Sequence, residues 1–158
     1  MVIIEICTKN DFKDPLGEQT LFSILESKII DIKSVKYSPI YKLFDNNKLT
    51  NREINIISSE LLTDNITEEY FINENINKYD TSINNFKSLI EVWYKHGVTD
   101  TVAESVVKAI DDLGIKKEIK VMRGDKYYLY GKISYSKLEY IATKLLVNTL
   151  IQDYKIII

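Results

Sequence analysis

One cysteine and one histidine, Cys7 and His96, are the only residues from which a Cys-His nucleophilic pair could be built. Such a pair needs the two side chains in contact and a third group that orients the base. Cys7 lies in an apolar, β-forming run, which favours a small buried side chain, and His96 precedes Gly97, which favours an exposed loop. A structural zinc site draws most of its four ligands from these two residue types, so none is predicted.

The remaining polar residues form no recognised catalytic or cofactor motif. Glycine occurs at positions 17, 97, 114, 124 and 131, which cannot build a phosphate-binding loop or a dinucleotide fingerprint. The adjacent carboxylates of Asp111-Asp112 and Glu68-Glu69 point in different directions, as on a solvated face. We therefore predict no catalytic residue, no metal site and no cofactor, and a stand-alone enzyme is the least favoured function.

The bulk composition excludes several classes of protein. With 45% hydrophobic and 28% charged residues in 158, the chain is not disordered, and its net charge of −2 gives no electrostatic reason to bind nucleic acid. No apolar run approaches the roughly 20 residues of a membrane span, and no basic segment precedes an apolar N-terminal stretch. We expect a cytoplasmic protein with no membrane partner, in which the 11 tyrosines serve packing and interfaces.

The chain also repeats itself. Ile4-Glu5-Ile6, Lys9, Asp14, Glu18, Tyr41 and Leu43 recur 86 positions later as Ile90-Glu91-Val92, Lys95, Asp100, Glu104, Tyr127 and Leu129. After a two-residue slip, Thr50 and Leu61-Leu62 recur 84 positions later as Ser134 and Leu145-Leu146. A tandem duplication is predicted, with copies at 1–72 and 88–158 and an asparagine-rich connector at 73–87. Copies of about 70 residues have marginal cores, so we expect them to pack as a pseudo-dimer.

Each copy has the same pattern of elements. A β-rich run, Val2–Thr8 in copy one, precedes a helix capped by Asp14 or Asp100. A long β stretch follows, at 32–44 or 118–130, and both one bent strand and a hairpin stay open. A second helix begins at Thr50, in a capping box, or at Ser134, and a strand at 66–72 or 150–157 closes the copy. The plan is β-α-β(β)-α-β, an α+β fold with helices on one face of a mostly antiparallel sheet.

The repeated residues resemble the PurS family, the small subunit of phosphoribosylformylglycinamidine synthase. The resemblance rests on the segments 90–92, 95–100, 103–104 and 145–154 of copy two, which contain the lysine, the G-x-x-D helix start, the A-E pair and the final L-L-x-N-x-x-I-x-D-Y. Copy one has the same marks at Lys9, at 14–18 and at 61–70. Two fused copies are similar to the N-terminal region of the long single-chain synthases. The sequence leaves open whether the natural chain continues into a synthetase domain.

The resemblance implies a non-catalytic component of an ATP- and glutamine-dependent C–N ligase complex in purine biosynthesis. It would bridge a glutaminase and a synthetase and support ammonia transfer between them, and self-association of the pair stays open. We predict partner contacts at Glu18, Glu104, Arg123 and Tyr127. The alternative is a tandem ACT-like amino-acid-sensing module, which fold analogy alone supports.

Overall fold

The computed structural model describes residues 1–46, 48–74 and 86–158. Most of the predicted connector at 73–87 therefore lies outside the described residues. Within them, the elements follow in the order β1 (Val2–Thr8), α1 (Pro15–Glu26), β2 (Ile32–Phe44), α2 (Asn51–Ile56, continued by a π-helical segment Ile57–Leu62), β3 (Glu68–Ile72), β4 (Ser88–Tyr94), α3 (Thr101–Asp112), β5 (Lys120–Gly131), α4 (Tyr135–Tyr140, continued by a π-helical segment Ile141–Leu146) and β6 (Gln152–Ile157).

The six strands form one sheet in the order β3-β1-β2-β5-β4-β6, and every neighbouring pair is antiparallel. The predicted α+β class is confirmed. The first half, β1 to β3, and the second half, β4 to β6, each follow the order β-α-β-α-β, and each second helix ends in a π-helical segment. The repeated order agrees with a tandem duplication, which itself stays a prediction.

The two long β stretches are single strands and not hairpins. β2 and β5 pair along almost their whole length, from Val35 opposite Leu129 to Phe44 opposite Lys120. Pro39 has no backbone donor, and it lies just past the point where the β1–β2 pairing ends at Glu5 opposite Ile40. The hydroxyl of Ser38 donates to the carbonyl oxygen of Ile6 at 2.6 Å, a hydrogen bond that continues the contact between the two strands. The strand therefore passes through the Ser38-Pro39 pair without turning.

Both hydrophobic cores contain residues of both halves. Both cores lie on the side of the sheet that the helices cover. Tyr41 of β2 belongs to the first core and Val35 to the second, and their spacing of six residues places them on the same face of the strand. In the first core, α2 and β1 pack with α3 of the second half, and Ile57 and Ile110 meet there. In the second core, α1 packs with β4 and α4, and Ile24 meets Leu138. Each half thus contributes one helix to the core of the other.

Polar contacts also join the halves. Lys117 Nζ lies 2.6 Å from Glu53 Oε2, and Lys137 Nζ lies 2.6 Å from Asp31 Oδ2. Lys117, with the backbone N–H of Thr50, lowers the pKa of Glu53 to about 2. Both ion pairs lie near the surface, so they add modestly to stability and mainly fix the position of the helices.

The second helices begin differently in the two halves. Thr50 and Glu53 form the capping box, since Glu53 N donates to Thr50 Oγ1 at 3.2 Å and Thr50 N donates to Glu53 Oε2 at 2.7 Å. Ser134 stands at the corresponding position of α4, but its hydroxyl makes no capping hydrogen bond and lies 3.2 Å from Ser136 Oγ. Ser134 is thus the N-cap residue of α4, but its side chain satisfies no amide of the helix. Position 137, where the box needs a carboxylate, is a lysine that pairs with Asp31.

No helix of the described residues is long and apolar enough to cross a membrane.

Candidate interaction site at the centre of the sheet

Asp14 and Asp100 join the first helix of each half to a central strand. Asp14 Oδ1 accepts from Gly17 N at 2.9 Å, and its Oδ2 accepts from Tyr37 N in β2 at 2.7 Å. Asp100 makes the corresponding bonds to Ala103 N at 3.0 Å and to Arg123 N in β5 at 3.2 Å. Each carboxylate therefore satisfies one free amide of a helix and one amide of a strand.

The two helices differ in how closely they approach the sheet. Asp14 is 5% exposed, whereas Asp100 is half-buried. A Cβ at Gly17 would lie 2.5 Å from the carbonyl oxygen of Val35, while Ala103 occupies the corresponding place in α3. The closer approach of α1 excludes water from Asp14. Water therefore cannot easily satisfy the two amides if the carboxylate is removed.

We expect Asp14→Ala to lower the free energy of unfolding by about 2–4 kcal/mol, which combines a lost cap with an unsatisfied amide at Tyr37. Asp100→Ala should cost about 1–2 kcal/mol, because water reaches the amides that it releases. Urea denaturation of both variants measures the difference. Equal losses would show that the deeper burial of Asp14 adds nothing to its contribution.

Five side chains meet on the helix side of the sheet, where β2 and β5 cross the middle of the molecule. We call them the junction cluster: Tyr37, Tyr41, Arg123, Asp125 and Tyr127. Arg123 Nη2 lies 2.8 Å from Asp125 Oδ1 and donates to the hydroxyl oxygen of Tyr37 at 2.5 Å. That hydroxyl donates in turn to Asp125 Oδ1 at 2.6 Å. The ring of Tyr127 packs against the ring of Tyr37, with the centroids 5.5 Å apart.

The pKa values of the tyrosines and of Arg123 in the junction cluster are all raised. Burial, and then the charge of Asp125, raise the pKa of Tyr127 to about 12 and that of Tyr37 further. Burial alone would lower the pKa of Arg123, but Asp125 and the neighbouring tyrosines outweigh it and raise that pKa. Neutral tyrosines and a charged guanidinium are not general bases, and the Asp125 side chain is engaged by Arg123 and by the hydroxyl of Tyr37, so the cluster is suited to packing and hydrogen bonding.

The predicted contact residues fall in three different places. Arg123 and Tyr127 line a cavity of about 310 Å³ between α1 and the end of α4. Arg123 and Glu104 line another, of about 580 Å³, beside the loop between β4 and α3, and His96 also lines it. Glu18 is exposed on the first turn of α1 and belongs to neither group. The structure therefore joins Arg123 to two of the other candidates.

Cys7 and His96 are not brought together. Cys7 lies on the sheet face opposite the helices, in a small cluster with Leu89 and Tyr128, and its Sγ is 3.8 Å from Ser38 Oγ. Burial, and then the charge of Glu5, raise the pKa of the Cys7 thiol far above its ordinary value, which disfavours the thiolate. Among residues 1–46, 48–74 and 86–158, no group of three or more His, Cys, Asp or Glu could hold a metal ion.

Comparison with known protein families gives a match in the second half of the chain. Residues 87–158 match the model of the PurS family, described as phosphoribosylformylglycinamidine (FGAM) synthase. The match supports PurS family membership for this part of the chain, and with it a role in FGAM synthase and in purine biosynthesis. No curated protein sequence matches the chain.

The PurS region, residues 87–158, contributes three of the five junction side chains, and the first half supplies Tyr37 and Tyr41. We missed Tyr37 and Asp125 from the sequence. The signal was present, because Arg123, Asp125 and Tyr127 alternate along one strand and so share one face. What the alternation could not give is the partner strand, which places Tyr37 opposite Tyr127.

Proposed function

We propose that the chain is a non-catalytic, PurS-like component of FGAM synthase, built from two fused PurS-like units. It would bridge a glutaminase and an ATP-dependent synthetase and support the passage of ammonia between them. The observation that carries this proposal is the PurS family match over residues 87–158. The proposal extends the match to the first half on the repeated order of elements and on the paired roles of Asp14 and Asp100.

The polar chemistry of the described residues supports a structural role. The charged and hydroxyl groups of the junction cluster bond to one another, and the Cys7 thiol is buried beside a serine. A rigid sheet with four helices on one face presents wide surfaces on which two partners can be held at a fixed distance. Such positioning contributes to a coupled reaction without a reacting group on the scaffold.

The ACT-like alternative gains no support. Its plan requires two middle strands in each half, whereas β2 and β5 are single strands that pair with each other. A thermal-shift panel of amino acids would revive it if one of them raised the melting temperature in a saturable way.

The first test is affinity capture of the tagged protein from an extract of its own host, with glutamine and ADP-magnesium added. Recovery of a synthetase and a glutaminase together supports the bridge. If both proteins are present in the extract and neither is captured, the proposal fails.

The predicted contacts can then be tested by charge reversal. Glu18→Arg and Glu104→Arg change exposed side chains on the first turns of α1 and α3. Glu26→Arg and Asp112→Arg are matched controls at the far ends of the same helices. We expect the first pair to weaken capture of a partner about tenfold or more with unchanged melting, and the controls to bind normally. Equal effects of all four variants would argue for general electrostatics and against contact at Glu18 and Glu104.

A further inference from the structure

A cavity of about 720 Å³ opens at the end of the sheet where β2 and β4 begin and β5 ends. Three lysines line it, Lys33, Lys87 and Lys132, and all three are exposed. Within the described part of the chain, none of their ammonium groups lies within 4.0 Å of a carboxylate. Three unneutralised cations around one opening create a local positive potential in a chain whose net charge is −2.

The corresponding end of the first half is filled by a carboxylate. At the offset of 86 positions, Gly131 corresponds to Asp45 and Lys87 to Met1. Asp45 is 2% exposed, its Oδ2 accepts from Leu49 N at 3.1 Å, and its Oδ1 lies 3.5 Å from the amino nitrogen of Met1. One end of the sheet thus places an internal anion beside an ammonium group.

The second half cannot place an anion in the same way. Gly131 has φ 148°, and a Cβ there would lie 3.0 Å from Ile32 Cα, so no aspartate fits at this position. The cations remain, as Lys33, Lys87 and Lys132, but no aspartate or glutamate of residues 1–46, 48–74 or 86–158 lines the cavity with them. The cavity takes the place of the side chain that fills the other end.

A buried hydroxyl on the cavity wall also has no partner. Ser88 lines the cavity, is 2% exposed, and its Oγ makes no hydrogen bond within the described residues. An unsatisfied buried hydroxyl costs free energy unless another molecule bonds to it. Apolar side chains also line the cavity and form its apolar wall, among them Ile133 and Leu138.

We propose that this cavity binds a small phosphorylated organic molecule, with the phosphate held by Lys33, Lys87 and Lys132 and the organic part against the apolar wall. A phosphate monoester carries up to two negative charges, which suits three ammonium groups better than one carboxylate does. The volume exceeds that of a bare ion and lies within the range of small-molecule sites. The proposal does not rest on the proposed function, because it is argued from the lysines, the cavity and Ser88 and not from the family match.

Isothermal titration of the full chain with ribose 5-phosphate, adenosine monophosphate and inorganic phosphate tests the site. We expect saturable binding of at least one ester, tighter than inorganic phosphate, that weakens as the salt concentration rises. The variants Lys33→Gln, Lys87→Gln and Lys132→Gln should each lower the affinity about tenfold, whereas Lys108→Gln on α3 and Lys144→Gln on α4 should bind as the parent does.

The remaining outcomes are equally decisive. Ser88→Ala should lower the affinity severalfold without lowering the melting temperature, because the hydroxyl has no hydrogen bond to lose among the residues that the structure describes. No saturable binding of any ester at 10 mM, at about physiological salt, would overturn the proposal. So would binding that survives in the triple lysine variant, or inorganic phosphate that binds as tightly as the esters. Normal melting of each lysine variant separates a lost site from a lost fold.

Discussion

Fragments 1–74 and 86–158, expressed together as separate chains, should purify as a one-to-one complex, and neither should form a folded monomer alone. The reason is the exchange of helices between the halves. Without the first half, the core around α4 loses Ile24, Ile29, Ile32 and Val35, all of which are buried in the whole chain. Burial of each such side chain contributes about 1.5–3 kcal/mol, so the loss is about 6–12 kcal/mol. That equals the whole stability of an ordinary domain.

The backbone pairing of β2 with β5 also makes each half depend on the other. Fragment 86–158 would expose one edge of β5 along 12 residues, and an uncovered edge of that length pairs with any matching strand. We therefore expect this fragment alone to be unfolded or self-associated, never monomeric and folded. Circular dichroism and analytical ultracentrifugation of each fragment, and of the mixture, measure these states.

A control tests whether the shared cores, and not the covalent link between the halves, hold the two parts together. A protease site placed within residues 75–85 of the full chain should be cleaved without separating the two parts. Dissociation after cleavage, or a cooperatively unfolding monomer of either fragment, would mean that the two halves are independent domains and that the shared cores add little.

Much of the secondary structure follows from local signals in the sequence. β1, the helix starts after Asp14, Thr50 and Asp100, and the closing strands lie where capping residues and alternation predict them. Whether residues 32–44 form one strand or a hairpin depended on the partner strand, which no local pattern encodes. The exchange of α1 and α3 between the cores was missed for the same reason, since an apolar stripe shows that a helix is buried but not against what.

The polar site was harder to predict than the fold. Asp14 was predicted to cap a helix, but its second bond, to Tyr37 N, depends on the close packing of α1 that Gly17 permits. The partner contacts at Glu18, Glu104, Arg123 and Tyr127 stay predictions. The lysines of the proposed phosphate site were overlooked, because they are far apart in the sequence and only the end of the sheet brings them together.

Equivalent positions in the repeat can also have opposite environments. Glu5 and Glu91 are 86 positions apart in matching strands, yet Glu5 is 3% exposed and Glu91 is only half-buried. Glu5 accepts from Lys126 Nζ at 2.6 Å and from the hydroxyl of Tyr128, and its Oε1 lies 3.0 Å from Ser38 Oγ. Burial, and then the charge of Glu5, raise the pKa of Tyr128, which favours the protonated hydroxyl that donates to Glu5.

We expect Glu5→Ala to lower the free energy of unfolding by about 3–5 kcal/mol, because it leaves a largely buried ammonium and a buried hydroxyl without their acceptor. Glu91→Ala, the matched control, should change it by less than about 0.5 kcal/mol. Urea denaturation with an unchanged slope would assign both values to the folded state.

The triple variant Glu5→Leu, Lys126→Met, Tyr128→Phe separates the cost of breaking this network from its net contribution. Replacing a buried ion pair with apolar side chains of similar size is often neutral or stabilising, so the triple variant should recover most of the stability that Glu5→Ala loses. If it is as unstable as Glu5→Ala, the network itself holds β1, β2 and β5 together and the apolar packing around it does not suffice. If Glu5→Ala alone is tolerated, water reaches this face of the sheet and the burial of Glu5 does not dominate its energetics.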